Sequence, residues 1–214
     1  MATFPIDPCR SALVLFDMLN DFVRPKDPER TRATAESGAI ERCVEIRDAA
    51  HAAGLRVFYA NSTHRPDAAD YAPTIVDANN NLVPWPDGPQ LMQPPPGTMG
   101  TYGAEIIDEL APAPEDYIVP KHRWGAFTGT SLDILLRGLG IDTILLAGGS
   151  TDLGVLATGY AARDLGYNLV VLRDACHTHR PGAQEFCMER LFPRMARVMP
   201  VADAIALIAS PDGH

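Results

Sequence analysis

The sequence predicts an α/β protein, a three-layer, doubly wound fold around a six-stranded, essentially parallel sheet. Three observations lead there. Short apolar runs recur along the chain, each too short for a helix and bounded by Gly, Pro, Asn or Asp. Segments with helical spacing alternate with them from one end to the other. No internal repeat or low-complexity tract interrupts the alternation. The 214 residues allow one full core, so 1–214 is taken as a single domain.

Ser11–Phe16 (Ser-Ala-Leu-Val-Leu-Phe) is the first buried strand, and it ends at Asp17. Ligands of open α/β sheets gather at the carboxyl ends of strands, which makes Asp17 a site candidate. The alternative is a cap on the next turn, a common use of Asp. Asn20 and Asp21 shape the loop that follows. Residues 31–53 have a helical pattern closed by Gly54, and Leu55–Ala60 form the second strand. Asn61, Ser62, Thr63, His64 and Arg65 emerge at its carboxyl end, where a pocket rim would lie. His64 is either a substrate contact or a metal ligand. With no second His or carboxylate at ligand spacing along the chain, no metal is expected there.

From Pro66 to Thr101 periodicity fails, and prolines punctuate the segment. A stretch this long suits a lid, a binding loop or a subunit contact. A brief helix over Ala104–Leu110 follows, and then a third strand, Tyr117–Pro120, delivers Lys121. Trp124 and Phe127 come soon after. Either these aromatics desolvate a lysine held near an acid, or they are core residues beneath ordinary surface charge. Ser131–Arg137 is the next helix.

The chain then runs through Ile144–Ala147, an apolar strand, into Gly148-Gly149-Ser150-Thr151-Asp152. The glycines permit a sharp turn, and Ser, Thr and Asp are good helix N-caps. Val155, Leu156, Gly159 and Tyr160 continue with helical spacing. A helix start of this kind attracts negative charge, although a plain βα turn has the same sequence signature. Tyr167–Arg173 is the fifth strand, followed by Asp174, Ala175, Cys176 and His177. A helix over 183–192, a last strand over Ala196–Val201 and a helix over Ala202–Ile208 complete the pattern.

A formal charge of −9 and the lack of a Lys/Arg cluster argue against nucleic acid as a partner. No apolar run approaches the ~18 residues that span a bilayer, so no membrane partner is expected. The N-terminus lacks a basic-then-apolar signal, and Cys9, Cys43, Cys176 and Cys187 show neither C-x-x-C spacing nor disulfide density. A cytoplasmic protein acting on a small molecule is the expectation.

Three strand ends line up: Leu-Phe-Asp17-Met-Leu-Asn-Asp-Phe, Val-Pro-Lys121 with Ala-Phe127-Thr-Gly-Thr, and Leu-Ala-Gly-Gly-Ser-Thr-Asp-Leu-Gly154-Val. With Ala161-Ala-Arg-Asp and Val171-Leu-Arg-Asp-Ala, they resemble the isochorismatase-like hydrolases from about Leu13 to Ala206. The resemblance implies an Asp–Lys–Cys site, with Asp17 and Lys121 in the first two roles and Gly154 at the cysteine's position. A glycine has no nucleophile, so the thioester route is closed at that position. Isochorismatases proper resemble this chain in carrying Gly there, and they split a vinyl ether into pyruvate and a dihydroxy-cyclohexadiene carboxylate. The implied catalytic set is Asp17, Lys121 and Gly154. The substrate contacts are Phe22, His64, Trp124, Phe127, Ser150 and Thr151, with a cis peptide near Gly149–Ser150. No cofactor is implied. The Asp-and-two-His metal set of nicotinamidases is not reproduced, because Asn61 and Thr63 stand about where its first two members fall. Homo-oligomers, dimers or tetramers with contacts through 66–101, are also implied. Two other readings are a diverged C–N amidohydrolase, with Cys176 as the candidate nucleophile, and a ligand-binding member that has lost catalysis.

Overall fold

A computed structural model describes residues 5–71, 76–77, 83–84 and 94–208. Its strands are β1 (Ser11–Phe16), β2 (Arg56–Ser62), β3 (Val76–Asp77), β4 (Val83–Pro84), β5 (Tyr117–Lys121), β6 (Thr143–Gly149), β7 (Asn168–His177) and β8 (Arg197–Met199). Six of them form one sheet in the order β5-β2-β1-β6-β7-β8, every pairing parallel, and β3 pairs antiparallel with β4. The α-helices are α1 (Asn20–Val23), α2 (Pro28–Glu36), α3 (Ala39–Ala53), α4 (Leu132–Gly138), α5 (Leu156–Asp164), α6 (Ala183–Phe186) and α7 (Val201–Ile208).

The three layers follow from the strand sequences. All six residues of β1 are buried, so side chains of both parities need apolar cover. Leu13 and Leu15 share one core with Ile46 and Ala50 of α3 and Val201 and Ala204 of α7. Ala12, Val14 and Phe16 point the other way, into a core with Leu132 and Leu136 of α4 and Ala162 of α5. Helices on both faces of a parallel sheet are the only way to dry such strands.

The strand order also fixes where a ligand can go. The chain winds outward from β1 to β2 and β5, then returns to β6 on the other side of β1. That reversal is a topological switch point, where the loops after β1 and β6 diverge and leave a crevice. Asp17 leaves one side of it, and the Gly148–Thr151 turn leaves the other.

Several elements differ from expectation. The helix expected over 31–53 is two helices, α2 and α3, parted at Gly38 with φ of +70°. Asp27 caps α2 through its carboxylate, and Pro28 sits in the first turn. Ala104–Leu110 is not a helix but two short 3₁₀ turns, Tyr102–Ala104 and Asp108–Leu110, because a seven-residue segment lacks enough i→i+4 bonds to continue. The helix after β6 begins with a single π turn, Thr151–Val155, closed by Val155 N–H to the Ser150 carbonyl at 3.2 Å. A second π turn, Cys187–Leu191, divides the expected 183–192 helix. Strand β7 runs on to His177, re-pairing Cys176 and His177 with Gly148 and Gly149 after a register shift. The lid or subunit-contact segment falls mostly on 72–93, which apart from 76–77 and 83–84 lies outside the described residues. Among the described residues no helix is long and apolar enough to cross a membrane.

Leu145 is fully buried in the core beneath α3, while Ile134 of α4 is 73% exposed. Leu145→Ala is expected to cost about 2–5 kcal/mol in urea unfolding, and Ile134→Ala less than about 0.5 kcal/mol.

Candidate active site

Register brings three strand ends to one point. β1 pairs Phe16 with Ala60 of β2 and with Gly148 of β6, and β2 pairs Ser62 with Lys121 of β5. Asp17 therefore begins where β1 ends, and β2 lies between it and Lys121. Ser62 fills that interval. Its N–H donates to Asp17 Oδ1 at 2.6 Å and its hydroxyl to Oδ2 at 3.1 Å. Lys121 Nζ donates to Asp17 Oδ2 at 2.7 Å and to Ser62 Oγ at 2.8 Å, and approaches the Arg123 carbonyl at 3.4 Å. Asp17 is 5% exposed and Lys121 2%, so the ion pair is removed from water. Buried charges of this kind persist only when their remaining valences are met, and here Ser62 meets them.

The backbone of Asp17 lies in the left-handed region at φ +49°, a conformation Asp tolerates better than most residues. Its N–H is fixed to the Ala60 carbonyl at 3.0 Å, so the carboxylate is aimed by the sheet itself.

The ring of Phe16 is the fourth component. Lys121 Nζ stands 4.3 Å from its centroid, a cation–π distance. On its other flank the ring occupies the space over Gly154. A Cβ added at residue 154 would meet Phe16 Cε1 at 2.2 Å and Cζ at 2.4 Å. The space that a side chain at 154 would need is thus filled by an aromatic ring. Backbone contact is equally close one strand end away, where a Cβ on Gly148 (φ +115°) would lie 2.2 Å from the Phe16 carbonyl oxygen.

The turn after β6 is tied down by side chains. The Gly149–Ser150 peptide is cis. Ser150 Oγ bonds Asp152 Oδ1 at 2.7 Å, Thr178 Oγ1 donates to the same oxygen at 2.6 Å, and Arg180 donates to Asp152 Oδ2 at 2.8 Å. Thr151 is fully buried, and its hydroxyl has no partner. Thr158 Oγ1 donates to the Gly154 carbonyl at 2.7 Å and accepts from Ala126 N–H at 3.0 Å, which links this helix to the loop after Lys121.

The other sequence candidates stand around these strand ends. Phe127 stacks on Tyr167, centroids 5.7 Å apart, and packs on the core beneath α4 and α5. Trp124 is 60% exposed. Neither aromatic covers Lys121; Phe16 does, from the strand before Asp17. Phe22 sits half-buried in α1, its N–H on the Leu19 carbonyl. His64 is buried beside Asp70 and His122, and those three residues could hold a metal ion. Of the cations, Arg65 pairs with Asp67 at 2.8 Å and Arg123 donates to the carbonyls of Asp70 and His122. Cys176 is buried, its thiol donates to the Leu146 carbonyl at 3.8 Å, and burial pushes its pKa well up. Sequence reasoning placed Ser62 on the pocket rim without a role and gave Phe16 no part in the site. Both stand at strand ends, the one signal that could have found them.

Comparison with known proteins gives a consistent family. An isochorismatase domain model matches residues 11–203. The isochorismatase family protein YwoC of Bacillus subtilis (strain 168) is 39% identical over 121 residues, 56% of this chain, and the match spans 63% of that relative's length. The ureidoacrylate amidohydrolase RutB of Rhizobium rhizogenes is 30% identical over 203 residues, 90% of this chain and 82% of its own. Among solved structures, an isochorismatase family protein from Burkholderia thailandensis superposes with a TM-score of 0.79 at 31% identity, covering 97% of this chain and 100% of its own.

Two outcomes are expected from the site geometry. Asp17→Asn or Lys121→Met alone should cost about 3–5 kcal/mol in chemical unfolding, because each leaves the partner charge buried; the double variant should recover most of that loss. The second concerns His177, whose ring packs on Gly149 with neither nitrogen bonded. Burial, with His179 adding to it, pushes this imidazole down to about 4. The unfolded chain binds this proton below about pH 6.5, and the folded one only near pH 4. The His177 contribution to stability is therefore intact above pH 6.5 and falls by about 3 kcal/mol as pH drops to 4. His177→Leu should flatten that slope in urea titrations between pH 7 and pH 4.

Proposed function

The chain belongs to the isochorismatase family, and from that premise we propose that it hydrolyses a small vinyl-ether metabolite by acid/base chemistry, without a covalent enzyme intermediate. The observation behind this reading is the Phe16 ring seated on Gly154. With no side chain at that position, and no room for one, attack from residue 154 is closed, and this reading takes water as the attacking species. The reacting groups left are the buried carboxyl of Asp17 and the ammonium of Lys121, 2.7 Å apart.

In the resting site Asp17 is the carboxylate of the ion pair. In the proposed reaction it takes up one proton from solvent as substrate enters and delivers that proton to the terminal carbon of the enol ether. An oxocarbenium ion forms at the ether carbon. Water adds there and returns a proton to the Asp17 carboxylate, and the hemiketal collapses to a keto acid and an alcohol. One water is consumed, and the acid is regenerated. Lys121 serves as the proton's partner: its ammonium holds Asp17 by one oxygen and neutralises the carboxylate left after the first transfer. Ser62 N–H holds the other oxygen and keeps the carboxyl plane fixed.

A second reading has a specific support, the likeness to a ureidoacrylate amidohydrolase over 90% of the chain. In that case Asp17 acts as base on a water that attacks a C–N carbonyl, still without a thiol. Cys176 is unsuited to attack, being buried and protonated in an apolar core.

Purified protein assayed with an enolpyruvyl ether bearing a ring carboxylate should release pyruvate. Turnover should be unaffected by iodoacetamide and should fall about 10²–10⁴-fold in Asp17→Asn. Hydrolysis of ureides with vinyl ethers left intact would move the assignment to the C–N reading. Full turnover in Asp17→Asn would remove the acid role, and binding without turnover of either class would mark a ligand-binding member.

A further inference from the structure

We propose that His64, Asp70 and His122 form a binding site for a divalent transition-metal ion of the zinc class beside the Asp17–Lys121 pair. One donor atom from each residue lies within 4.8 Å of the other two. His64 and Asp70 are six positions apart, but His122 comes from a different strand far along the chain, so spacing gave no sign of the set. β2 delivers His64 two residues beyond Ser62, β5 delivers His122 next to Lys121, and the turn after β2 supplies Asp70.

The observation that points to an ion is the state of His64. Its side chain is 7% exposed, and its Nδ1 is buried with no hydrogen-bond partner. That nitrogen faces Asp70 Oδ1 at 3.5 Å without bonding to it. An ordinary His–Asp pair closes further, as His51 and Asp116 do in this same protein at 2.8 Å. Donors held about 2.0–2.1 Å from one tetrahedral zinc stand about 3.3–3.4 Å from each other, close to the spacing found. An ion between them would satisfy a nitrogen that is otherwise costly to bury.

The surroundings hold the donors in place. Arg65 N–H donates to both oxygens of Asp70 at 3.1 Å, and Arg123 Nη1 grips the Asp70 carbonyl at 2.9 Å. The backbone of His64 is clamped by the loop opposite, its N–H on the Gly97 carbonyl at 3.0 Å and its carbonyl on Met99 N–H at 2.9 Å. Tyr71 stacks edgewise on the His64 ring at 4.9 Å. Such outer contacts orient metal ligands. His122 Nδ1 lies 3.2 Å from Asp70 Oδ2, its ring is bonded to the Thr63 carbonyl, and at 43% exposure it can turn onto an ion. Two imidazoles and one carboxylate favour zinc, cobalt or nickel over magnesium or calcium. Three protein donors leave a coordination position open, the pattern of a site that also takes a ligand oxygen.

Titration of chelator-stripped protein with Co²⁺ tests this. One equivalent should bind, with the visible absorption of low-coordinate Co²⁺, and Zn²⁺ should bleach it by displacement. Asp70→Asn and His122→Ala should each weaken binding at least about tenfold, whereas His51→Ala should leave it unchanged. His122 is exposed enough that its loss spares the core, and circular dichroism verifies the fold of each variant. Absence of stoichiometric binding would overturn the proposal, as would a Co²⁺ affinity identical in wild type, Asp70→Asn and His122→Ala. Because the readout is bound metal rather than turnover, failure of the hydrolytic reading leaves this result standing, and the reverse holds too.

Discussion

A lysine and an aspartate, both buried and 2.7 Å apart, set the terms for the rest of this structure. Two charges out of water are stable only if nearly every remaining hydrogen-bonding position is met. Ser62 meets them from the strand between, donating to both Asp17 oxygens and accepting from Lys121. The sheet order is thus a requirement of the chemistry: exchange β2 for any other strand and the bridge disappears. Placing Asp17 in the left-handed region turns its carboxylate back toward that strand.

Phe16 joins this pair to the position where a nucleophile would stand. One side of its ring faces the Lys121 ammonium, and another fills the space over Gly154. Ring and glycine are complementary: a side chain at 154 would have to evict Phe16, and a smaller residue at 16 would open a void above Gly154. The closed space over Gly154 is therefore a packed feature of the core.

The rim answers to a different logic. His64 and His122 follow directly from the strands that hold Ser62 and Lys121, so anything bound between them sits close to the ion pair. The Ser150–Asp152–Thr178–Arg180 network fixes the opposite wall with hydroxyls and a carboxylate whose bonds are directed inward to the turn. One wall is thus occupied largely with holding itself together, and the other presents the unmet Nδ1 of His64.

The amino-acid sequence by itself determined the layered fold, because strands that are apolar at every position can be dried only by helices on both faces. It also determined that Asp17 and Lys121 stand at strand ends, since apolar runs stop there and chemistry-bearing residues begin, and that Gly154 follows in the first turn of the helix after β6. The length of Ala104–Leu110 and the break at Gly38 were harder, resting on local bonds that composition does not count. Strand order and register, which are tertiary, decided the rest. They made Ser62 a bridge, pressed Phe16 onto Gly154, sent Phe127 to the core and left Trp124 in water. They also gathered His64, Asp70 and His122 across fifty-nine positions of chain into a space less than 5 Å wide. Proximity between residues far apart in sequence depends on which strands are neighbours, and no periodicity along one strand encodes its neighbour.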